Sequence, residues 1–116
     1  MKKTTKKQPT KKQLKNKLWK LVSEYVRNKE FCCYTCGNHI PVFRERHAGH
    51  FWTKGGHQRT MFDLMNVHTQ CISCNCFKSG NLSAYASRLL QDYGLEKYKE
   101  LEKRAKESKP FYPLEL

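Results

Sequence analysis

Cys33-Tyr-Thr-Cys36 and Cys71-Ile-Ser-Cys74 are two Cys-x-x-Cys pairs with 34 residues between them. A two-residue spacer lets one tight turn present two sulfurs, and zinc takes four thiolates in a tetrahedron with Zn–S bonds of about 2.3 Å. Gly37 suits the turn that follows the first pair. Two such turns clamp both ends of the intervening segment to one structural zinc ion. Cys32 competes with Cys33 through a longer spacer, but Cys33 has the better spacing; Cys32 and Cys76 are left over as buried free thiols. The bland alternative, four reduced core cysteines, fits poorly with an apolar content of 38%.

Asn75 directly follows the second pair, with Lys78 three residues on and His68 three residues before the pair begins. An asparagine offers an amide oxygen of the type magnesium accepts, here fixed beside a zinc knuckle. Its competing role is a helix N-cap or local turn residue. All five histidines lie between the two pairs, four of them, His47, His50, His57 and His68, within residues 44–70. A neutral imidazole removes a proton from water near neutral pH. One hard divalent ion can hold a phosphate and stabilise a leaving oxygen. These are the parts of phosphodiester hydrolysis.

The flanking elements must position them. Residues 1–10 read as a disordered basic arm. Leu14, Leu18, Leu21, Val22, Tyr25 and Val26 recur at steps of three and four, which predicts an amphipathic helix over 11–29 with lysines outside. Residues 31–80 lose that period and gain Cys, His, Gly and aromatics, as a loop-and-hairpin region organised by ligands does. Asn81 is placed to cap a second helix over 81–93 that ends at Gly94. A third, mixed-charge helix spans 95–108, and 110–116 form a tail. The whole is one domain over 11–109, of α+β class.

Nine of the 23 basic residues are lysines within the first 20 positions, a stretch without acids, and the net charge is +13. Such a block condenses on polyanions, so DNA is the expected partner, with Lys2, Lys3, Lys6, Lys7, Lys11 and Lys12 as phosphate contacts. Lys78 and Arg59 are further candidates for phosphate contact, with solvated surface charge as the other reading. No apolar run reaches the length of a membrane span or a signal-peptide core. The expectation is therefore a cytoplasmic protein with reduced cysteines, no membrane partner and no small-molecule organic cofactor.

Taken in order, AGHF (48–51), FDLMNVHTQC (62–71) and CNCFKSGNLSAY (74–85) resemble the zinc-ribbon HNH nucleases, and more closely the NinG/Rap recombination proteins of lambdoid phages. The likeness covers roughly residues 32–105 and leaves the arm and first helix outside. It implies a ββα-metal core, a hairpin carrying a histidine packed on a helix that begins near the second knuckle. It further implies a metal-dependent endonuclease acting on branched DNA such as Holliday junctions or displacement loops. His50 matches the general-base histidine, and Asn66 matches an asparagine that ties the hairpin loop through backbone hydrogen bonds. Asn75 is the implied ligand of a catalytic Mg²⁺ or Mn²⁺ ion.

One position departs from the HNH pattern. Where that pattern has an acid or histidine directly before the base, this chain has Gly49. The NinG/Rap pattern puts an acid three residues before the histidine, and His47 stands there. Residues three apart on a regular strand face opposite ways, so sharing one site requires a bulge or turn at Ala48-Gly49. His47 is the first candidate for the missing ligand and His68 the substitute; Glu45 and Asp63 are nearby acids. A His/Asn shell favours softer ions than magnesium. Cutting two symmetric strands suggests a C2 homodimer; helix 11–29 or 82–93 offers an apolar face for its interface, although the favoured reading spends each face on the chain's own core. Two other readings stay open: a zinc-stabilised DNA-binding module without catalysis, and an HNH nickase on ordinary duplex.

Overall fold

A computed structural model describes residues 8–107. The amphipathic stretch forms α1 (Lys11–Lys29), started by a reciprocal cap between Thr10 and Gln13. Each side chain bonds the other residue's backbone N–H, satisfying amides that have no partner within the helix. Trp19 and Val26, seven residues apart, face the same way and meet a two-stranded antiparallel hairpin. Its strands are β1 (His47–His50) and β2 (Val67–Gln70), with His47 opposite Gln70 and His50 opposite Val67. Pairing is unbroken over all four positions, without a bulge at Ala48-Gly49.

Every residue of β2 is buried although three of the four are polar. They are tolerated because each side chain makes at least one hydrogen bond. Glu30, just past the end of α1, accepts from the Thr69 N–H and pairs with His68 Nδ1, both at 2.7 Å. Thr69 donates its hydroxyl to the Val26 carbonyl, and Gln70 donates its amide to the Gly80 carbonyl.

After the hairpin comes one π-helical turn over Ser73–Phe77, then α2 (Leu82–Tyr93) and α3 (Leu95–Ala105). The third helix thus ends three residues before the position its composition suggests. Its C-terminal carbonyl at Ala105 is 3.0 Å from His57 Nδ1, and Arg104 meets Asp63. Tyr85 of α2 reaches across the hairpin to donate to the Gly49 carbonyl at 2.7 Å. Around it lies the core, built on Tyr34, Tyr85, Leu89 and Leu101. A second small cluster consists of Ile40 with Cys33 and Cys74. The molecule is therefore an α+β fold, a two-stranded sheet with helices on its flanks.

The apolar stripe of α1 is only partly covered. Leu21 and Tyr25 remain more than half exposed, and with Leu18, Val22, Phe62 and Leu64 they line a shallow apolar groove. No described helix is long and apolar enough to cross a membrane.

Candidate functional site

The sulfurs of Cys33, Cys36, Cys71 and Cys74 all lie within 4.8 Å of one another. Cys36 Sγ and Cys71 Sγ are 3.7 Å apart. That matches the edge of a tetrahedron with metal–sulfur bonds of about 2.3 Å, roughly 3.8 Å, so the donor set can hold a metal such as zinc. The first pair sits in a small loop closed by Cys33 N–H to the Asn38 carbonyl, with Gly37 at φ +81° making the turn. In the second pair the Cys74 N–H points at Cys71 Sγ. Cys32 and Cys76 stand outside the cluster and are exposed, not buried as the sequence suggested.

The cluster is electrostatically uneven. Burial pushes the Cys33 thiol up, but the Thr35 hydroxyl and the backbone amides of Cys71, Cys36 and Thr35 outweigh it and bring Cys33 down to about 6. Burial raises Cys36 to about 12 and also raises Cys71. The Cys33 thiolate is thus stabilised before any metal arrives, and the cation would have to draw off the protons of Cys36 and Cys71.

Asn81 does not cap α2 as its position suggests. It adopts a left-handed conformation (φ 48°), and its side chain donates to Cys74 Sγ at 3.5 Å. Ser79 and Gly80 also have positive φ, so the chain turns sharply between the π turn and α2. That reversal lets Gly80 N–H return to the Cys74 carbonyl and Gly80 O accept from Gln70.

The π turn carries Asn75 to the outer edge of β1. Its amide nitrogen lies 3.1 Å from His47 Nδ1, and Cys76 Sγ is 3.9 Å from the same atom. With no bulge in β1, His47 and His50 point to opposite faces; Asn75 is the link between them. A cleft lined by Trp19, Ala48, His50, Thr53, Lys54 and Asn75 opens on the His50 side. His47 instead lines a separate depression with His39, Arg44 and Glu45.

His50 Nε2 is 2.9 Å from the Met61 carbonyl. A carbonyl only accepts, so Nε2 carries the proton and Nδ1 keeps the lone pair when the ring is neutral. The imidazole stacks on Trp19 with centroids 4.7 Å apart. Burial depresses its pKa below 6.5, Lys54 adds to that, and the Met61 carbonyl opposes it. Behind it, Asn66 is fully buried. Its amide accepts from Trp52 N–H and donates to the carbonyls of Trp52 and Thr60, closing the loop between the strands.

Gly49 has a specific reason to be glycine. A Cβ there would stand 1.8 Å from Gln70 Oε1 and 3.0 Å from Asn75 Oδ1. Two amide oxygens converge on the space a side chain would need, and Gln70 Oε1 is buried without a hydrogen-bond partner.

His68 is not brought to the cleft. It is 4% exposed, both ring nitrogens are engaged by Glu30 and the Met65 carbonyl, and it stacks on Tyr34 at 3.8 Å. Asp63 pairs with Arg104 and Arg59 with Glu107. Lys78 is exposed at the end of the π turn, and Lys11 and Lys12 line a depression beside Trp19. Lys2, Lys3, Lys6 and Lys7 lie outside the described residues.

Trp19, Lys54 and Gln70 carry no role on sequence alone. Trp19 had a readable signal, since Lys11, Lys15 and Trp19 recur every four residues. Gln70 had none, because its role depends on the strand across from it.

The family described as Bacteriophage Lambda NinG protein matches residues 1–112, so the likeness takes in the basic arm and α1, which the motifs alone left outside. Protein ninG of Escherichia phage 933W is 36% identical over 76 residues, which are 66% of this chain and 37% of that protein. Proteins of the same name from Salmonella phage P22 and Escherichia phage lambda are 34% identical over 76 residues, again 66% of this chain and 36% of each. The chain thus spans little more than a third of the length of the curated relatives it matches. No solved structure matches it. Its motifs, their order and a family match running through almost the whole sequence agree: the chain belongs to the NinG family.

Proposed function

We propose that this protein is a metal-dependent endonuclease of HNH type that nicks branched DNA, with His50 as general base. The observation that carries the reading is the state of His50. Its Nε2 is tied to the Met61 carbonyl, its Nδ1 is left basic, and burial keeps the ring neutral at pH 7 in a cleft shared with Asn75. Such a ring takes a proton from a water facing a bound phosphate.

His47 and Asn75 would hold the Mg²⁺ or Mn²⁺ ion, which supplies charge neutralisation at the phosphate. Their 3.1 Å separation is close to that of adjacent ligands around an octahedral ion with bonds of about 2.0–2.1 Å. Turning the Asn75 amide over would present its oxygen to that position and its NH₂ toward the unpartnered Gln70 Oε1. A zinc ion held by Cys33, Cys36, Cys71 and Cys74 would fix the turn that carries Asn75. In this reading the hairpin, π turn and α2 correspond to a ββα-metal core. A junction-cutting enzyme needs two such sites, which a C2 homodimer provides.

A second reading has a specific observation in its favour: among the described residues no carboxylate lines the His50 cleft. Without one, the protein would be a zinc-stabilised DNA-binding module that does not cut. Incubation with a labelled four-way junction and its matched duplex, with Mg²⁺, Mn²⁺ or no added divalent ion, separates the readings. Metal-dependent nicking that falls about 10²-fold or more in His50→Ala, with binding kept, supports the nuclease. Binding without cutting under either ion supports the module, and equal nicking of duplex supports an ordinary nickase.

A further inference from the structure

Trp19 belongs to two adjoining depressions. One is the cleft of His50 and Asn75. The other runs along the first turns of α1 and is lined by Lys11, Lys12, Lys15, Lys54 and Met61. Lys54 is common to both, and its Nζ lies 5.0 Å from the Trp19 ring centroid. Lys11, Lys15 and Trp19 follow one another at four-residue steps, so they form a row on one face of α1. Among the described residues no acid lines either depression. The result is a furrow with four ammonium groups along it and a half-exposed indole where it enters the cleft.

Single nucleic-acid strands are held by this combination of a basic groove for phosphates and an aromatic face for a base, which is sequence-tolerant because every base has a π-face. A duplex keeps its bases stacked on each other and cannot offer one to an indole. We propose that the furrow is a binding track for one unpaired nucleic-acid strand, with a base stacking on the Trp19 face that the His50 imidazole does not cover, beside the phosphate presented to His50. The lysines grip the phosphates on the approach. This deepens the nuclease reading and rests on it only for the role of the inner end. An unpaired base at the mouth of the cleft gives a branch point an advantage over plain duplex.

The test uses the full chain with no Mg²⁺ or Mn²⁺ added, so binding is read apart from cutting. In a Trp52→Phe background Trp19 is the sole tryptophan, and its fluorescence reports directly. Titration with an oligothymidylate should quench it, whereas inorganic polyphosphate of equal charge should bind without quenching. Trp19→Ala should weaken oligothymidylate binding about tenfold and leave polyphosphate binding unchanged, and Trp19→Phe should retain most of the affinity. Equal losses for both ligands, or no loss for either, overturns the stacking role. Should Trp19→Ala fold poorly, the quenching experiment decides: an oligothymidylate that binds without changing Trp19 emission overturns the proposal. Failure here with His50-dependent nicking intact removes the track and leaves the nuclease. Trp19-dependent binding without any nicking does the reverse.

Discussion

Whether His50 acts as a base depends on its protonation state, and burial sets that. Its pKa is depressed below 6.5, so the neutral ring persists to lower pH than a free imidazole would. Cleavage should therefore rise along an acid limb with its midpoint below 6.5 and be level at pH 7. A midpoint above 6.5 in the pH–rate profile would point to another base. The linkage to stability has the same sign: the contribution of neutral His50 is full above 6.5 and is lost as pH falls through its lowered pKa. Gly49 makes a second prediction at this scale, because Gln70 Oε1 occupies the place of its absent Cβ. Gly49→Ala should cost about 1–3 kcal/mol by overpacking. Combined with Gln70→Ala, the loss should be smaller than the sum of the two single losses in a urea-unfolding cycle. Strict additivity would mean that the two residues do not compete for that space.

Among the elements, the second cysteine pair and the π turn are contiguous, and Asn75, one residue past Cys74, lies 3.1 Å from His47. One zinc per chain should survive dialysis, and stripping it should lower the melting temperature sharply; a folded, metal-free protein would refute the assignment. Asn81 refines this. Its left-handed backbone is one that glycine adopts freely, while its side chain serves Cys74 and not α2. Asn81→Gly should leave helical content unchanged and weaken zinc affinity about tenfold, measured by competition with a chromophoric chelator. Lost helicity with unchanged zinc affinity would restore Asn81 to a capping role.

At the scale of the molecule the dominant feature is charge. A net +13 is concentrated toward the N-terminus, and the α1 lysines continue the arm up to the furrow beside Trp19. Deleting residues 2–8 removes Lys2, Lys3, Lys6 and Lys7 but spares the Thr10–Gln13 cap of α1. DNA affinity should fall, and the slope of log K against log salt should flatten by about 0.9 for each phosphate that is no longer neutralised. An unchanged slope in a salt titration would show that these lysines do not touch the backbone of the DNA. The apolar groove along α1 lies beside Phe62 and Leu64, on the loop that Asn66 closes.

What the sequence determined by itself is what short-range physics determines. Cys-x-x-Cys spacing brings paired sulfurs to one turn whatever surrounds them, and the three-four rhythm from Leu14 to Val26 makes a helix from local hydrogen bonds and one apolar side. The arm's charge needs no fold to be read. The tertiary structure decided everything that depends on which side chain meets which across the fold. His68 stood as the substitute for His47 until Glu30, 38 residues earlier, took its Nδ1. Gly49 looked like a missing ligand until Gln70 was seen filling its place. Asn81 looked like a helix cap until its amide turned to the Cys74 sulfur. In each case a polar side chain had several possible partners, and burial left room for only one set of them.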